Sequence, residues 1–445
     1  MKLPEYPRYK DSGFEWLGKV PEHWEVTRLK RIATVMPSNV DKKAYEHEAL
    51  VRLCNYTDVY YNDLITDEMN FMEATASPEQ IARFSLREAD TIITKDSETP
   101  DDIARSAYVT RDLPGIVCGY HLAIIRPSRK GVGAFLKWVF DARFTRSVVE
   151  VGANGLTRYG LSQHTLDNIP VACPSREEQT DIARFITNAN AQIDSLISRQ
   201  KRLISLLNEK RQTVITRAVT VGLNTGKRMK PSGIHWLGDV PTHWNVHRIA
   251  MLYKEINEPG NDELPFLRVS IHDGVSDRQL GDEELGRKVN RSEDSSKYKR
   301  VAPGDLVYNM MRAWQGGFGT VMVPGQISPA YVVARPKSNF SSRFIELLLR
   351  TPQAIEEIRC RSYGVADFRL RLYWDNFKNI RVALPPESEQ AEILAHIERL
   401  ERKFNDLIEK ATISIATLQE RRSALISAAV TGKIDVRSLA TSEAA

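Results

Sequence analysis

Cysteine is scarce in this chain, and the four present, Cys54, Cys118, Cys173 and Cys360, are scattered. No Cys-x-x-Cys pair occurs, which argues against a zinc site or a disulfide framework and fits a reducing, cytoplasmic compartment. Long apolar runs are missing too. The N-terminus shows no signal-peptide core, and no run reaches the ~18 residues that a membrane span needs. Catalytic and cofactor signatures are equally absent. Gly222 to Lys227 has the wrong spacing for a P-loop and lacks its Ser or Thr. Neither Asn-Pro-Pro-Tyr nor Asp-Pro-Pro-Tyr, the tetrapeptides of amino-methyltransferases, appears. The glycine clusters Gly131-Val132-Gly133 and Gly316-Gly317-Phe318-Gly319 read as turns rather than phosphate cradles. His235, His243 and His247 lie close together, but only His243 has a counterpart, His23, so no shared metal site is expected.

What the chain has instead is a repeat of itself. Ser12-Gly13-Phe14-Glu15-Trp16-Leu17-Gly18-Lys19-Val20-Pro21-Glu22-His23-Trp24 returns 220 positions later as Ser232-Gly233-Ile234-His235-Trp236-Leu237-Gly238-Asp239-Val240-Pro241-Thr242-His243-Trp244. A second border, Ile169-Pro170-Val171-Ala172-Cys173-Pro174, returns as Ile380-Arg381-Val382-Ala383-Leu384-Pro385 at an offset of 211, which holds without a gap to Thr220 and Thr431. Two copies with so long a period mean a tandem duplication, not a solenoid. At 445 residues there is length for two or three domains, each with its own core. The net charge of +5 is mildly basic and compatible with a nucleic-acid partner.

Between the borders the contents diverge, although traces of common origin remain. Leu86-Arg87-Glu88-Ala89-Asp90 resembles Val301-Ala302-Pro303-Gly304-Asp305, and Ile125-Arg126-Pro127 resembles Ala334-Arg335-Pro336. Short β-branched runs punctuated by Gly and Pro read as strands. After each border comes a helix with a heptad seam: Ile182, Ile186, Ala189, Ile193, Leu196, Leu203, Leu207 and Val214 in the first, Ile393, Ile397, Leu400, Phe404, Leu407, Ala411, Leu418 and Leu425 in the second. One helix leads into the second module and the other leaves it, so the two are expected to pair antiparallel. The expected fold is α+β: two globular α/β modules, each with a mostly antiparallel sheet, separated by two long antiparallel coiled-coil helices with pseudo-two-fold internal duplication. The segments read as module one, 1–173; helix one, 174–222; module two, 223–384; helix two, 385–433; and a C-terminal tail, 434–445. Trp16, Trp24, Trp236 and Trp244 read as packing anchors, since both copies keep them.

Two variable modules alternating with two similar helices, Trp-Leu-Gly…Val-Pro-x-His-Trp openings, and the Val-Ala-x-Pro…Glu-Gln borders ending at Gln179 and Gln390 together resemble the DNA-specificity subunit of type I restriction-modification systems. The resemblance covers essentially the whole chain. Gly155-Leu156-Thr157-Arg158-Tyr159-Gly160-Leu161-Ser162 is similar to the family's segment just before the border. The second copy, Gly364 to Leu370, keeps an arginine, Arg369, but not the glycine register. The resemblance implies a non-catalytic reader in which each module is a target recognition domain for one half of a bipartite double-stranded DNA site. It implies docking of two modification subunits, which bring S-adenosylmethionine and methylate adenine, and of restriction subunits, which bring ATP and Mg. No cofactor is expected in this chain itself.

Read from the residues alone, DNA contacts fall where basic, amide and aromatic residues interleave, because phosphates draw cations and base edges need hydrogen-bonding groups. In module one these are Lys95, Arg105, Tyr120, His121, Arg158 and Tyr159. In module two they are Lys297, Lys299, Arg300, Asn309, Arg312, Trp314, Gln315, Arg369 and Arg371. Asp96, Glu98, Asp101 and Asp102 lack the Glu-x-Lys partner of a nuclease and read as a solvated or DNA-facing loop. Two other readings stay open at this point: a coiled-coil scaffold without DNA readout, and a self-sufficient methyltransferase or nuclease.

Overall fold

The computed structural model describes residues 4–224, 226–261, 263–271, 274–276, 297–364 and 370–438. The chain forms two compact units, one of residues 1–200 with 412–445, the other of residues 201–411. These units do not follow the linear segments: each takes the start of one long helix and the end of the other.

The first unit is built on a sheet of β1 (Ala33–Pro37), β2 (Leu64–Ile65), β3 (Thr91–Thr94), β4 (Ser106–Val109) and β5 (Leu122–Pro127), in the order β1-β5-β3-β4-β2. All neighbours are antiparallel except β4 and β2. The second unit carries β6 (Tyr253–Ile256), β7 (Leu306–Asn309), β8 (Phe318–Thr320) and β9 (Tyr331–Pro336), in the antiparallel order β6-β9-β7-β8. Position for position, β6-β9-β7-β8 repeats β1-β5-β3-β4.

The central strands are apolar at every second position on both faces, and each face fills a different core. Ile93, Ala123 and Ile125 enter the core that also holds Trp24 and Phe135. Ile92, Leu122 and Ile124 enter a second core behind the sheet. That second core is closed by strands Ala49–Cys54, Met72–Ala76 and Ile116–Cys118, a separate three-stranded sheet. The other unit divides in the same way: Leu306, Tyr308, Val332 and Ala334 pack with Trp244, and Val307 and Val333 turn to a smaller core.

Two traces of ancestry seen in the sequence turn out to touch. Arg126 at the end of β5 donates from Nε and Nη2 to both carboxylate oxygens of the fully buried Asp90, at 2.8 and 2.7 Å. Arg335 at the end of β9 does the same to Asp305, at 2.9 and 2.9 Å. Each aspartate also accepts a backbone N–H from its own turn, of Arg87 and of Ala302. A planar guanidinium fits this fork, and the pairing stitches the end of one central strand to the entry of its neighbour.

The repeated borders are likewise partners. Glu25–Arg28 pairs antiparallel with Pro170–Cys173, and Asn245–Arg248 with Arg381–Leu384. Each second strand feeds a long helix, α1 (Arg176–Thr220) or α2 (Glu387–Val430). Gln179 and Gln390, one turn inside, hold the preceding loop: each donates to the carbonyl of Pro174 or Pro385 and accepts the N–H of Val132 or Ser341. In the first unit Ile182 and Ile186 of α1 share a core with Ile426 and Val430 of α2, while Asp194 pairs with Arg422. In the second, Ile215 and Val219 share a core with Ile393 and Ile397, while Arg211 meets Asn405. Within each unit the helices therefore run antiparallel. Leu196, Leu203 and Leu407 of the heptad seams stay nearly half exposed, because two helices without a third layer cover only one stripe of each other.

α1 ends at Gly222 and α2 at Gly432, both left-handed, with φ of +86° and +69°. Trp24 and Trp244 are fully buried, each against one of these turns: Trp24 against Gly432 and Trp244 against Gly222. Trp16 does not anchor packing. It is 56 % exposed, since the tight Phe14–Gly18 turn points Leu17 inward instead. Residues 434–438, the start of the C-terminal tail, pack onto the first unit: Val436 is buried, the Asp435 N–H donates to the Pro4 carbonyl at 2.8 Å, and the Arg437 guanidinium lies 5.0 Å from the Tyr6 ring.

Candidate nucleic-acid interface

In the first unit three chain segments converge where β3 ends. The Lys95 N–H donates to the His121 carbonyl, and the Leu161 N–H donates to the Lys95 carbonyl, at 3.0 and 2.9 Å. Asp96–Ser97 then pairs with Tyr159–Gly160. Asn154 and Gly160 exchange both backbone hydrogen bonds, at 3.1 and 2.9 Å, and so close a loop over residues 155–159. Gly155 has φ +154°, and a Cβ there would stand 1.9 Å from the Arg158 carbonyl oxygen. Only glycine makes that turn.

The side chains brought together are those of a polar, aromatic surface. Lys95 Nζ sits 4.6 Å from the Tyr120 ring centroid and donates to the Ser38 carbonyl. His121 Nδ1 is 2.8 Å from Asp96 Oδ2, with its ring edge-on to Tyr120. Arg158 and Leu156 stand exposed on the loop. A helix over Tyr56–Tyr60 adds Tyr56, and a cavity of about 90 Å³ opens among Asp41, Lys42, Asn55, Tyr56, Tyr120 and His121. This helix is hard to read from the sequence. Its only local signal was the tyrosine cluster Tyr56, Tyr60 and Tyr61, some forty residues before the nearest candidate.

Arg105 is the candidate with its charge already engaged. Its Nε and Nη2 donate to Asp102 at 2.9 and 2.6 Å, Tyr60 Oη donates to the same carboxylate at 2.7 Å, and its guanidinium lies over the Tyr60 ring. Burial alone would raise the Asp102 carboxyl, but the hydrogen bonds from Tyr60 and Arg105 outweigh it and hold that group below its usual range. The acidic stretch around Asp96 and Asp102 thus serves to orient neighbouring side chains.

The second unit repeats the frame. The Leu372 N–H donates to the Met310 carbonyl at 2.9 Å, as Leu161 does to Lys95. Tyr363 and Arg371 exchange both backbone bonds, at 3.0 and 2.9 Å, and close a loop two residues longer than its counterpart. Arg369 falls within that loop and lies outside the described residues. Asn309, Arg312, Trp314 and Gln315 share one turn: Asn309 Oδ1 accepts the Met311 N–H, Arg312 Nη1 donates to Gln315, and Trp314 Nε1 donates to the Met311 carbonyl. Arg312, Gln315 and Arg371 are exposed, whereas Trp314 packs partly against the core. Lys299 donates to the Tyr331 carbonyl at the same end of the sheet, since Tyr331 is the register partner of Asn309. Burial lowers the Lys299 ammonium pKa. Lys297 and Arg300 flank it and are exposed.

Among the described residues no group of three or more His, Cys, Asp or Glu is arranged to hold a metal ion, and no helix is long and apolar enough to cross a membrane. No protein-family model matches the chain. It is similar to the type I restriction enzyme StySPI specificity subunit of Salmonella potsdam, 24 % identical over 411 residues, covering 88 % of this chain and 85 % of the relative. Among solved structures it resembles the HsdS subunit of Thermoanaerobacter tengcongensis, with a TM-score of 0.55, 18 % identity, and coverage of 93 % of this chain and 98 % of that one. It also resembles a chain from a study of complex assembly and conformational transition in the type I R-M system, with a TM-score of 0.65, 16 % identity, and coverage of 93 % and 99 %. These structural likenesses show a shared fold.

Proposed function

We propose that this chain, a member of the specificity-subunit family of type I restriction-modification systems, is a non-catalytic reader of bipartite double-stranded DNA. One observation carries the reading. Two sheets with the same strand order, the same buried Arg–Asp fork and the same closing bonds at one end present different side chains at that end. A duplicated scaffold with altered tips is what two half-sites of unlike sequence require. Phosphate contacts from Arg158, Arg312 and Arg371 would supply affinity, and groups such as His121, Asn309 and Gln315 would address base edges.

The exposed faces of α1 and α2 suit docking of two modification subunits, which would bring S-adenosylmethionine, while restriction subunits would bring ATP and Mg. The complex would work in the cytoplasm. The helices would also set the spacing of the half-sites. The test is to map methylated adenines in cells carrying the chain and its partners, with and without a four-residue insertion at Ser205. The insertion adds ~6 Å of helix. With ~3.4 Å of duplex per base pair, the unspecified spacer should lengthen by roughly one or two base pairs while both half-sites stay the same. A folded variant that keeps the original spacing would refute the ruler. Methylation without two separated specific elements would refute the bipartite reading.

A further inference from the structure

Within the proposed reader, His121 has a chemistry more specific than general DNA affinity. Its Nδ1 lies 2.8 Å from Asp96 Oδ2. An ionised carboxylate only accepts, so the proton of that hydrogen bond belongs to Nδ1. In the neutral ring Nε2 then carries the lone pair and is an acceptor. The ring is also fixed in place. The Lys95 N–H holds the His121 carbonyl at 3.0 Å, and Tyr120 meets the imidazole edge-on at 4.9 Å between centroids. Asp96 is itself confined, since a Cβ on Gly160 would come within 3.1 Å of its Oδ1. Nε2 has no partner among the described residues, although the side chain is only 29 % exposed. An oriented acceptor left open beside the Tyr56 and Tyr120 rings is set up to meet a donor from outside.

We propose that His121 reads one base of the first half-site through the exocyclic amino group of an adenine or a cytosine. Asp96 is the positioning residue that fixes the accepting tautomer. The assignment rests on the DNA-reading function above. In the major groove, adenine N6 and cytosine N4 are the donors, whereas guanine and thymine present O6, N7 and O4 acceptors. An Nε2 lone pair therefore selects for the first pair of bases and against the second. The second unit cannot make the same reading. The strand registers place Met311 where Asp96 stands and Ala330 where His121 stands.

The experiment is selection of duplexes from a library randomised over both half-sites, bound by the full chain and sequenced, for wild type, His121→Phe and Asp96→Asn. Wild type should require adenine or cytosine at one position of the first half-site. His121→Phe keeps a ring but no acceptor and should weaken discrimination at that position roughly 5- to 10-fold, with every other position unchanged. Asp96→Asn is nearly isosteric, and its amide can donate to Nδ1. The proton is then free to sit on Nε2, so preference at the same position should move toward guanine or thymine. A purely structural Asp96 would not produce that switch. A wild-type requirement for guanine or thymine there, an unchanged preference in both variants, or changes at two different positions would overturn the assignment. If wild type enriches no sequence at all, the DNA-reading function fails and the assignment falls with it. Should His121→Phe not fold, the Asp96→Asn switch decides alone.

Discussion

The two modules share a frame and differ at its tip. In both, a four-strand core, a bidentate Arg–Asp pair and a backbone-closed loop recur with the same connections. At the tip, Lys95, Asp96 and His121 correspond in register to Met310, Met311 and Ala330, and the closed loop differs by two residues. Among the described residues the backing layer differs as well: a three-stranded sheet in the first unit, two two-stranded sheets in the second. The duplication kept the buried frame, and let the side chains at its tip change.

Exchange of one module should have the largest effect. Replacing residues from about Lys30 to Asp167 with those of a relative should change the whole of one half-site and leave the other intact, read by mapping methylated adenines. The cuts fall just inside the paired strands Glu25–Arg28 and Pro170–Cys173, so the frame survives. Changes in both half-sites would mean the modules are not separate readers.

If the Arg–Asp fork is the common fastener, breaking it should hurt either module alike. Arg335→Met and Arg126→Met each leave a buried carboxylate without its cation. Each should lower the stability of its own unit by about 3 kcal/mol, seen as faster hydrogen exchange across β7 and β9 in one case and β3 and β5 in the other. A large loss in one variant with none in the other would show that the pairs are not equivalent.

At the tip of the first module two arginines differ in how far the frame already engages them. Arg158→Ala should weaken DNA binding roughly tenfold and lower the salt slope by about one unit, with little change in melting. Arg105, already held by Asp102, should lose stability rather than salt-dependent binding when replaced by alanine. Equal effects of the two on binding would erase the distinction between a free and an engaged guanidinium.

The smallest effect separates the two helix starts. Glu389 accepts from His243 at 2.6 Å and from Lys227 at 2.9 Å, whereas Glu178 accepts from His23 and Tyr6. Burial would raise the Glu389 carboxyl, but the His243 and Lys227 hydrogen bonds prevail and lower it. A lowered folded pKa gives stability that is present above the ordinary value of ~4.3 and is lost as pH falls through the folded one. Glu389→Gln should therefore be weaker than wild type by under ~1 kcal/mol at pH 7, and the gap should shrink as pH falls below the ordinary carboxylate range, read from hydrogen exchange at the start of α2. A difference that does not change with pH would place its origin elsewhere.

The sequence made the frame legible because the frame is local. The Trp-Leu-Gly openings, the apolar borders and the heptad seams are each contiguous, and each repeats. It did not reveal that the openings and borders pair with each other, nor that Asp90 and Arg126 meet, since these contacts join residues far apart in the chain. The tip candidates of the first module were legible where glycine and aromatic residues crowd together, as at Gly155 to Gly160. The Tyr56–Tyr60 helix was not, because only folding brings it beside Tyr120. Engagement was illegible too: nothing in the order of residues says that Arg105 is spoken for by Asp102 while Arg158 stands free of the frame.

The contact of Pro4 and Tyr6 with Asp435 and Arg437 does for the first unit what the peptide link after Gly222 does for the second. In topological terms the contact of residues 4–6 with residues 435–437 and the peptide link after Gly222 are equivalent junctions. A gene opened near Asn224, with the present termini fused by a short linker, should encode the same fold. A half-length gene encoding one module and one helix would need only a second copy of its product to complete both junctions. On the proposed reading, two such identical polypeptides would read a palindrome, and fusing them would let its two halves drift apart.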